Sequence, residues 1–130
     1  MGLSARIAQL AGRIGLELKS KVDASHPGVA QAWVCFGYVG SKVLVRAAYG
    51  VSGVTRLASG RYRVNFSPAL PDANYCWLAL ARSNVDSGTQ RLAMVRASTD
   101  LKTPQYVDIA CATTAAGLAD SAEINLVVYR

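Results

Sequence analysis

Near the start of the chain the apolar positions fall at Leu3, Ile7, Leu10, Ile14, Leu18 and Val22, spaced by 4, 3, 4, 4 and 4 residues, with Ala8 and Ala11 widening the same side. Alternation between steps of three and four keeps side chains on one face of a 3.6-residue turn, so residues 3–22 are predicted to form an amphipathic helix. Ser4 is placed as its N-cap, Lys19 and Lys21 put positive charge near the end that favours it, and the Asp23, Ser25, His26, Pro27, Gly28 segment stops it. A helix of this length, roughly 28 Å, draws its stability from covering its apolar face. Leu3 to Ile14 and Ile7 to Leu18 are each 11 residues apart, whereas strict heptads would carry Glu17 and Lys21 into the seam. The spacing favours a nearly straight bundle of copies, a relative of the coiled coil, over a long left-handed supercoil. The competing arrangement lays the stripe on the chain's own sheet.

After Pro27 the period changes from 3.6 to 2. Strands are expected at Ala30–Tyr38, Lys42–Tyr49, Gly53–Leu57, Arg61–Phe66, Tyr75–Arg82, Arg91–Ala97, Tyr106–Ala112 and Glu123–Tyr129. The clearest is the fourth, where Tyr62, Val64 and Phe66 alternate with Arg61, Arg63 and Asn65, one face for the core and one for water. Pro68 and Pro71 lack the ladder donor, and Asp72-Ala73-Asn74 favours a turn, so this segment reads as a fixed crossover loop. Residues 83–89, 98–104 and 115–121 read as surface loops. Short strands at regular spacing imply an antiparallel β-sandwich, jelly-roll-like in outline. The fold class is therefore mainly β, with residues 1–27 forming a trimerisation or attachment helix and linker and residues 28–130 the β domain.

The 130 residues suit one domain with a single core. Lys and Arg exceed Asp and Glu by 14 to 8, a formal charge of +6, but at 52% hydrophobic content this is a folded chain and not a disordered polycation. No apolar run approaches the length that spans a bilayer, so no membrane insertion and no signal peptide are expected.

The residues give little to catalysis. Cys35, Cys76 and Cys111 are odd in number and widely spaced, which fits reduced, buried small hydrophobes better than a disulfide framework or a zinc site. His26 is the sole imidazole, and it stands at the joint between helix and strands; in a trimer three copies would lie near the axis, where an ion or a pH change could act on them. Asp72, Asp86, Asp100, Asp108, Asp120 and Glu123 show no pairing along the chain of the kind glycoside hydrolysis uses, and there is no phosphate-binding glycine loop. No catalytic residue, cofactor or metal is expected. Trp33 and Trp77 lie in apolar runs and read as core anchors. Arg61 and Arg63, exposed if the alternation holds, are the candidate surface for an anionic ligand, and a nucleic-acid partner is the weaker version of that idea.

Particular stretches resemble a family of small β domains from tailed-bacteriophage fibre and appendage proteins. The residues are Ala32-Trp33-Val34-Cys35-Phe36-Gly37, Tyr49-Gly50-Val51-Ser52-Gly53-Val54-Thr55-Arg56, Gly60-Arg61-Tyr62-Arg63-Val64-Asn65-Phe66, Pro71-Asp72-Ala73-Asn74-Tyr75 and the closing Ile124-Asn125-Leu126-Val127-Val128-Tyr129. In that family Asn often stands where this chain has Cys35 and Gly50. The opening Leu3-Ser4-Ala5-Arg6-Ile7-Ala8-Gln9-Leu10 is similar to the short helices by which such proteins trimerise and dock on the particle. The resemblance implies a homotrimeric virion protein, made in the host cytoplasm and partnered by other virion proteins. It implies a tail fibre or fibre tip that meets a host-surface glycan or outer-membrane component through loops such as 86–89 and 115–121. Its alternative is a capsid decoration or cement protein. Leu3, Ile7, Leu10, Ile14, Leu18 and Val22 are then the trimer helix interface.

Overall fold

The computed structural model describes residues 2–21, 23–83, 89–94, 100–115 and 117–130, with the side chains of Lys19 and Ser20 left aside. Helix α1 runs Leu3–Ser20. Its first bond, from the Arg6 amide to the Gly2 carbonyl at 3.2 Å, makes Gly2 the N-cap. Ser4 therefore lies inside the first turn, which corrects its expected capping role. Lys21 ends the helix in extended geometry, and its amide returns to the Leu18 carbonyl at 3.2 Å. Two turns follow, closed by His26 N–H to Asp23 O at 3.0 Å and Val29 N–H to His26 O at 2.9 Å. The Gln31 side-chain amide donates to the Ala24 carbonyl at 2.8 Å and so ties these turns to the first strand.

The period-2 region forms β1 (Ala30–Val39), β2 (Lys42–Tyr49), β3 (Val51–Ala58), β4 (Arg61–Phe66), β5 (Cys76–Arg82), β6 (Arg91–Met94), β7 (Tyr106–Thr113), β8 (Gly117–Leu118) and β9 (Glu123–Tyr129). Each expected strand has its counterpart, and β3 reaches further at both ends than its sequence pattern suggested. The two-residue β8 occupies a segment expected to be loop. Residues 95–97 of the sixth expected strand lie outside the described residues.

All pairings are antiparallel, in a sheet of order β2-β1-β9-β5 and a second of order β3-β4-β7-β6 with β8 on the end of β7. The inner faces meet in one core. Ala32, Val34 and Phe36 of β1 with Ile124, Leu126 and Val128 of β9 oppose Tyr62, Val64 and Phe66 of β4 with Val107, Ile109 and Cys111 of β7. Phe36 and Tyr62 make an edge-to-face contact across the sheets, centroids 5.3 Å apart, and Phe66 and Tyr75 make another at 5.5 Å. Burial of these side chains, at about 1.5–3 kcal/mol each, is what holds the two sheets together.

Gly60 sets one end of this body. Its φ of +68° suits glycine, and a Cβ there would stand 2.4 Å from the Cys111 carbonyl oxygen and 2.7 Å from the Ala119 nitrogen. The close approach lets the Gly60 amide donate to the Asp120 carboxylate at 2.9 Å. Among the described residues, no helix is long and apolar enough to cross a membrane.

Candidate functional site

No cleft in the described residues gathers reactive groups, so the candidate sites are surfaces. The first is α1. Leu3, Ile7, Leu10, Ile14 and Leu18 share one side of the helix, and their exposure runs from 49% at Ile14 to 75% at Leu3. Every residue from Gly2 to Leu18 is exposed, so the chain's own sheets do not cover the stripe. Val22, the sixth residue of the expected interface, lies outside the described residues.

The second surface is the outer side of the β3-β4-β7-β6 sheet, where Arg61 and Arg63 point. They do not stand there as solvent-facing cations, and the expected exposure is corrected. Arg61 reaches the Asp100 carboxylate at 2.9 Å. Arg63 holds Asp108 through Nε at 2.7 Å and Nη2 at 3.0 Å, and its guanidinium lies 3.9 Å from the centre of the Tyr106 ring. Asp108 is only 1% exposed. The physical reason is the strap formed by residues 100–104: the Leu101 amide donates to Asp108 Oδ2 at 3.2 Å, and the Asp108 amide donates to the Leu101 carbonyl at 2.8 Å. The strap brings Asp100 to Arg61 and covers Asp108, which β7 sets directly opposite Arg63, at strand positions that alternation alone assigns to water. Burial pushes the Asp108 carboxyl upward, but the Arg63 and Leu101 bonds outweigh it and hold the group below the usual carboxylate range.

Asp120 and Asp72 are engaged in the same way. Asp120 accepts Arg56 at 2.7 Å and 3.1 Å, the Tyr62 hydroxyl and the Gly60 amide, and Arg56 also lies 4.3 Å from the centre of the Tyr38 ring. Burial raises the Asp120 carboxyl, and the bonds from Arg56, Tyr62 and Gly60 bring it below its ordinary value. The Tyr62 hydroxyl is pushed up by burial and by its bond to that carboxylate. Asp72 takes Arg130 at 2.6 Å and 2.9 Å, and that pairing holds it down to about 2. Such carboxylates brace the fold. A general acid needs the opposite shift.

The third surface, missed in the sequence, is the outer side of the β2-β1-β9-β5 sheet. Register sets Tyr49, Trp33, Val127 and Leu78 side by side across four strands, with Ala47, Cys35, Asn125 and Leu80 in the next row. Trp33 is 39% exposed, Tyr49 56%, Leu78 61% and Leu80 76%, and a shallow groove runs along Trp33, Cys35, Val127, Leu78 and Leu80. Trp33 is therefore not the expected core anchor, while Trp77 does pack partly against the core. Of the cysteines only Cys111 is buried, its thiol pushed up to about 12 by burial; Cys35 is half-buried and Cys76 exposed. The signal was available: Trp33-Val34-Cys35-Phe36 and Cys76-Trp77-Leu78-Ala79-Leu80 are unbroken apolar runs, which means both faces of those strands are apolar.

His26 accepts the Gly28 amide on Nδ1 at 2.9 Å, which closes its own turn. No cluster of His, Cys, Asp or Glu fit for a metal occurs among the described residues. Of the expected binding loops, residues 86–88 and 116 lie outside the described residues. Ser121 is fully buried, and its backbone carbonyl accepts the Tyr38 amide at 2.9 Å. No known family, curated protein or solved structure matches this chain.

Proposed function

We propose that the chain is a non-enzymatic structural protein of a tailed-bacteriophage virion. It acts as a homotrimer, with three α1 helices in a parallel bundle and three jelly-roll-like β-sandwiches carried on it as a tail-fibre or fibre-tip module for host attachment. The observation that carries this reading is the open stripe of Leu3, Ile7, Leu10, Ile14 and Leu18 on a helix that its own sheets leave bare. An isolated helix of 18 residues is marginal in water, and identical copies supply the missing cover. The resemblance of residues 30–82, and more weakly of the closing strand, to phage appendage domains supplies the biological setting. Three heads on one stalk suit a surface that presents repeated sites, a host glycan or outer-membrane component, because linked weak contacts gain avidity.

Two measurements test this. Imaging of purified virions should place the chain at the tail periphery; density on the shell instead would make it a decoration or cement protein, and density nowhere on the particle would overturn the reading. In solution, light scattering should give three times the 13.7 kDa chain mass. Ile7→Asp with Ile14→Asp should reduce that mass to the monomer by placing unpaired charge in the seam, while the sheets keep their circular dichroism. An unchanged mass in the double variant would remove the bundle.

A further inference from the structure

The outer side of the β2-β1-β9-β5 sheet has a consequence for how copies meet. Its two central rows, Tyr49-Trp33-Val127-Leu78 and Ala47-Cys35-Asn125-Leu80, contain no charged residue in a chain of net charge +6. Charge flanks the rows at both ends of the sheet: at the far end Arg82 pairs with Glu123 at 3.4 Å and Arg46 donates to the Ala122 carbonyl at 2.8 Å, and at the near end Arg130, after Tyr129, is held by Asp72 at 2.6 Å. The apolar rows lie toward the end where β1 begins, the end at which the chain arrives from α1.

We infer that this face is a contact between copies of the chain: three such sheets turn their Trp33, Leu78 and Leu80 side chains toward a common axis that continues the α1 bundle. The inference rests on the trimeric reading and names the surface that completes it.

Three properties of the face select a second copy as its occupant. Copies of a chain with net charge +6 repel one another where their cations meet, and a face without charge lets them approach without that penalty, whereas a partner drawn to this chain by opposite charge would gain nothing at these rows. The width fits as well. Four strands at about 4.8 Å make a face about 19 Å across, and three such faces closed into a triangle stand about 5.5 Å from the axis, near half of the about 10 Å at which sheets pack.

The area points the same way. Two rows give a flat footprint of roughly 270 Å², and a helix stripe about 27 Å by about 10 Å gives roughly the same. Neither alone approaches the about 800 Å² per partner of a stable interface, but the two in series come within reach of it once side-chain relief is added. The linker supports the continuity, since Gln31 of β1 holds the Ala24 turn against the start of the sheet.

The test uses the full chain. Leu78→Lys with Leu80→Lys changes two side chains that are already mostly exposed, so the fold should survive; Tyr49→Lys on the edge strand is an independent second variant. Light scattering over a dilution series should show the trimer of either variant dissociating at a concentration at least tenfold higher than the parent. The difference in emission between the parent and Trp33→Phe should be blue-shifted in the trimer and move to the red on dilution. An unchanged dissociation range in both variants, while Ile7→Asp with Ile14→Asp still yields monomers, would overturn the sheet contact and leave the helix bundle standing. A parent chain that is monomeric at about 100 μM would remove both, and a monomer with blue-shifted Trp33 would mean that the chain's own helix covers the face.

Discussion

The two outer sheet faces of this protein obey the same period-2 rule and end in opposite states. On the β3-β4-β7-β6 side the outward positions of β4 and β7 carry Arg61, Arg63, Asp108 and Ala110; Asp108 and Ala110 are buried, and a strap bonded to Asp108 covers that carboxylate. On the β2-β1-β9-β5 side the outward positions carry Trp33, Tyr49, Leu78 and Leu80, and among the described residues nothing covers them. The charged positions at the centre of the first face are paired and largely covered, and the apolar rows of the second are open. Alternation tells which side chains leave the core, but what meets them outside depends on segments far away in the chain or on another molecule. Paired, covered charges brace their own fold, and an open apolar face is available to a partner.

Acid should break the contrast most strongly, because it acts together on the Asp108 clamp of the covered face and on its neighbour Asp120 at the Gly60 end. Asp108 and Asp120 have folded-state values below the about 3.9 of an unfolded aspartate. In the interval between the two values the unfolded chain binds more protons, so stability rises with pH there. Their contribution is therefore complete above about pH 5 and is lost as the pH falls through about 4 and then through the folded-state values. Thermal melts from pH 7 to pH 2 should hold level and then drop within that acid window. A melting temperature that stays flat to pH 2 would mean that these pairs do not brace the fold.

Arg63→Ala isolates one clamp. It leaves the buried Asp108 carboxylate without its guanidinium clamp, with the Leu101 amide still donating to it, at a cost of about 3 kcal/mol in denaturant unfolding. Charge reversal at this position should cost at least as much, contrary to what the alternation Arg61-Tyr62-Arg63-Val64-Asn65-Phe66 suggests on its own. Asp108→Asn in the Arg63→Ala background should recover part of the loss, since a neutral amide is cheaper to bury than a charge. No recovery would point to lost packing on Tyr106 instead of an unpaired charge.

The difference between these faces marks what the sequence made legible. Helix α1 was readable because the Leu3 to Leu18 spacing is a local property, and its stop near Lys21 follows from the breakers after it. The strands were readable for the same reason, and the structure adds that β1 and β2 are joined by a two-residue Gly40-Ser41 turn in which both residues have positive φ. What the pattern could not carry was contact across long sequence separation. Arg61 meets a carboxylate 39 residues away, Arg63 one 45 residues away and Arg56 one 64 residues away. No feature of residues 61–63 announces a strap at 100–104. Trp33 differs in the other direction: its apolar run points to burial on both sides, and the register puts one side in the open.

The smallest expected effect is the sharpest control on the open face. Leu80→Ser replaces the most exposed large apolar side chain of that sheet with a polar one, and its inner-face neighbours Ala79 and Ala81 remain in place. Measured at dilution, where copies are apart, the unfolding free energy should change by no more than about 0.5 kcal/mol, the ordinary cost of a surface substitution. The same substitution should weaken association at high concentration, because an exposed leucine adds little to the stability of the separated chain and contributes only when something covers it. A loss of about 2 kcal/mol at dilution would mean that Leu80 is already covered within its own chain. The two faces would then differ in chemistry alone and not in what they are free to bind.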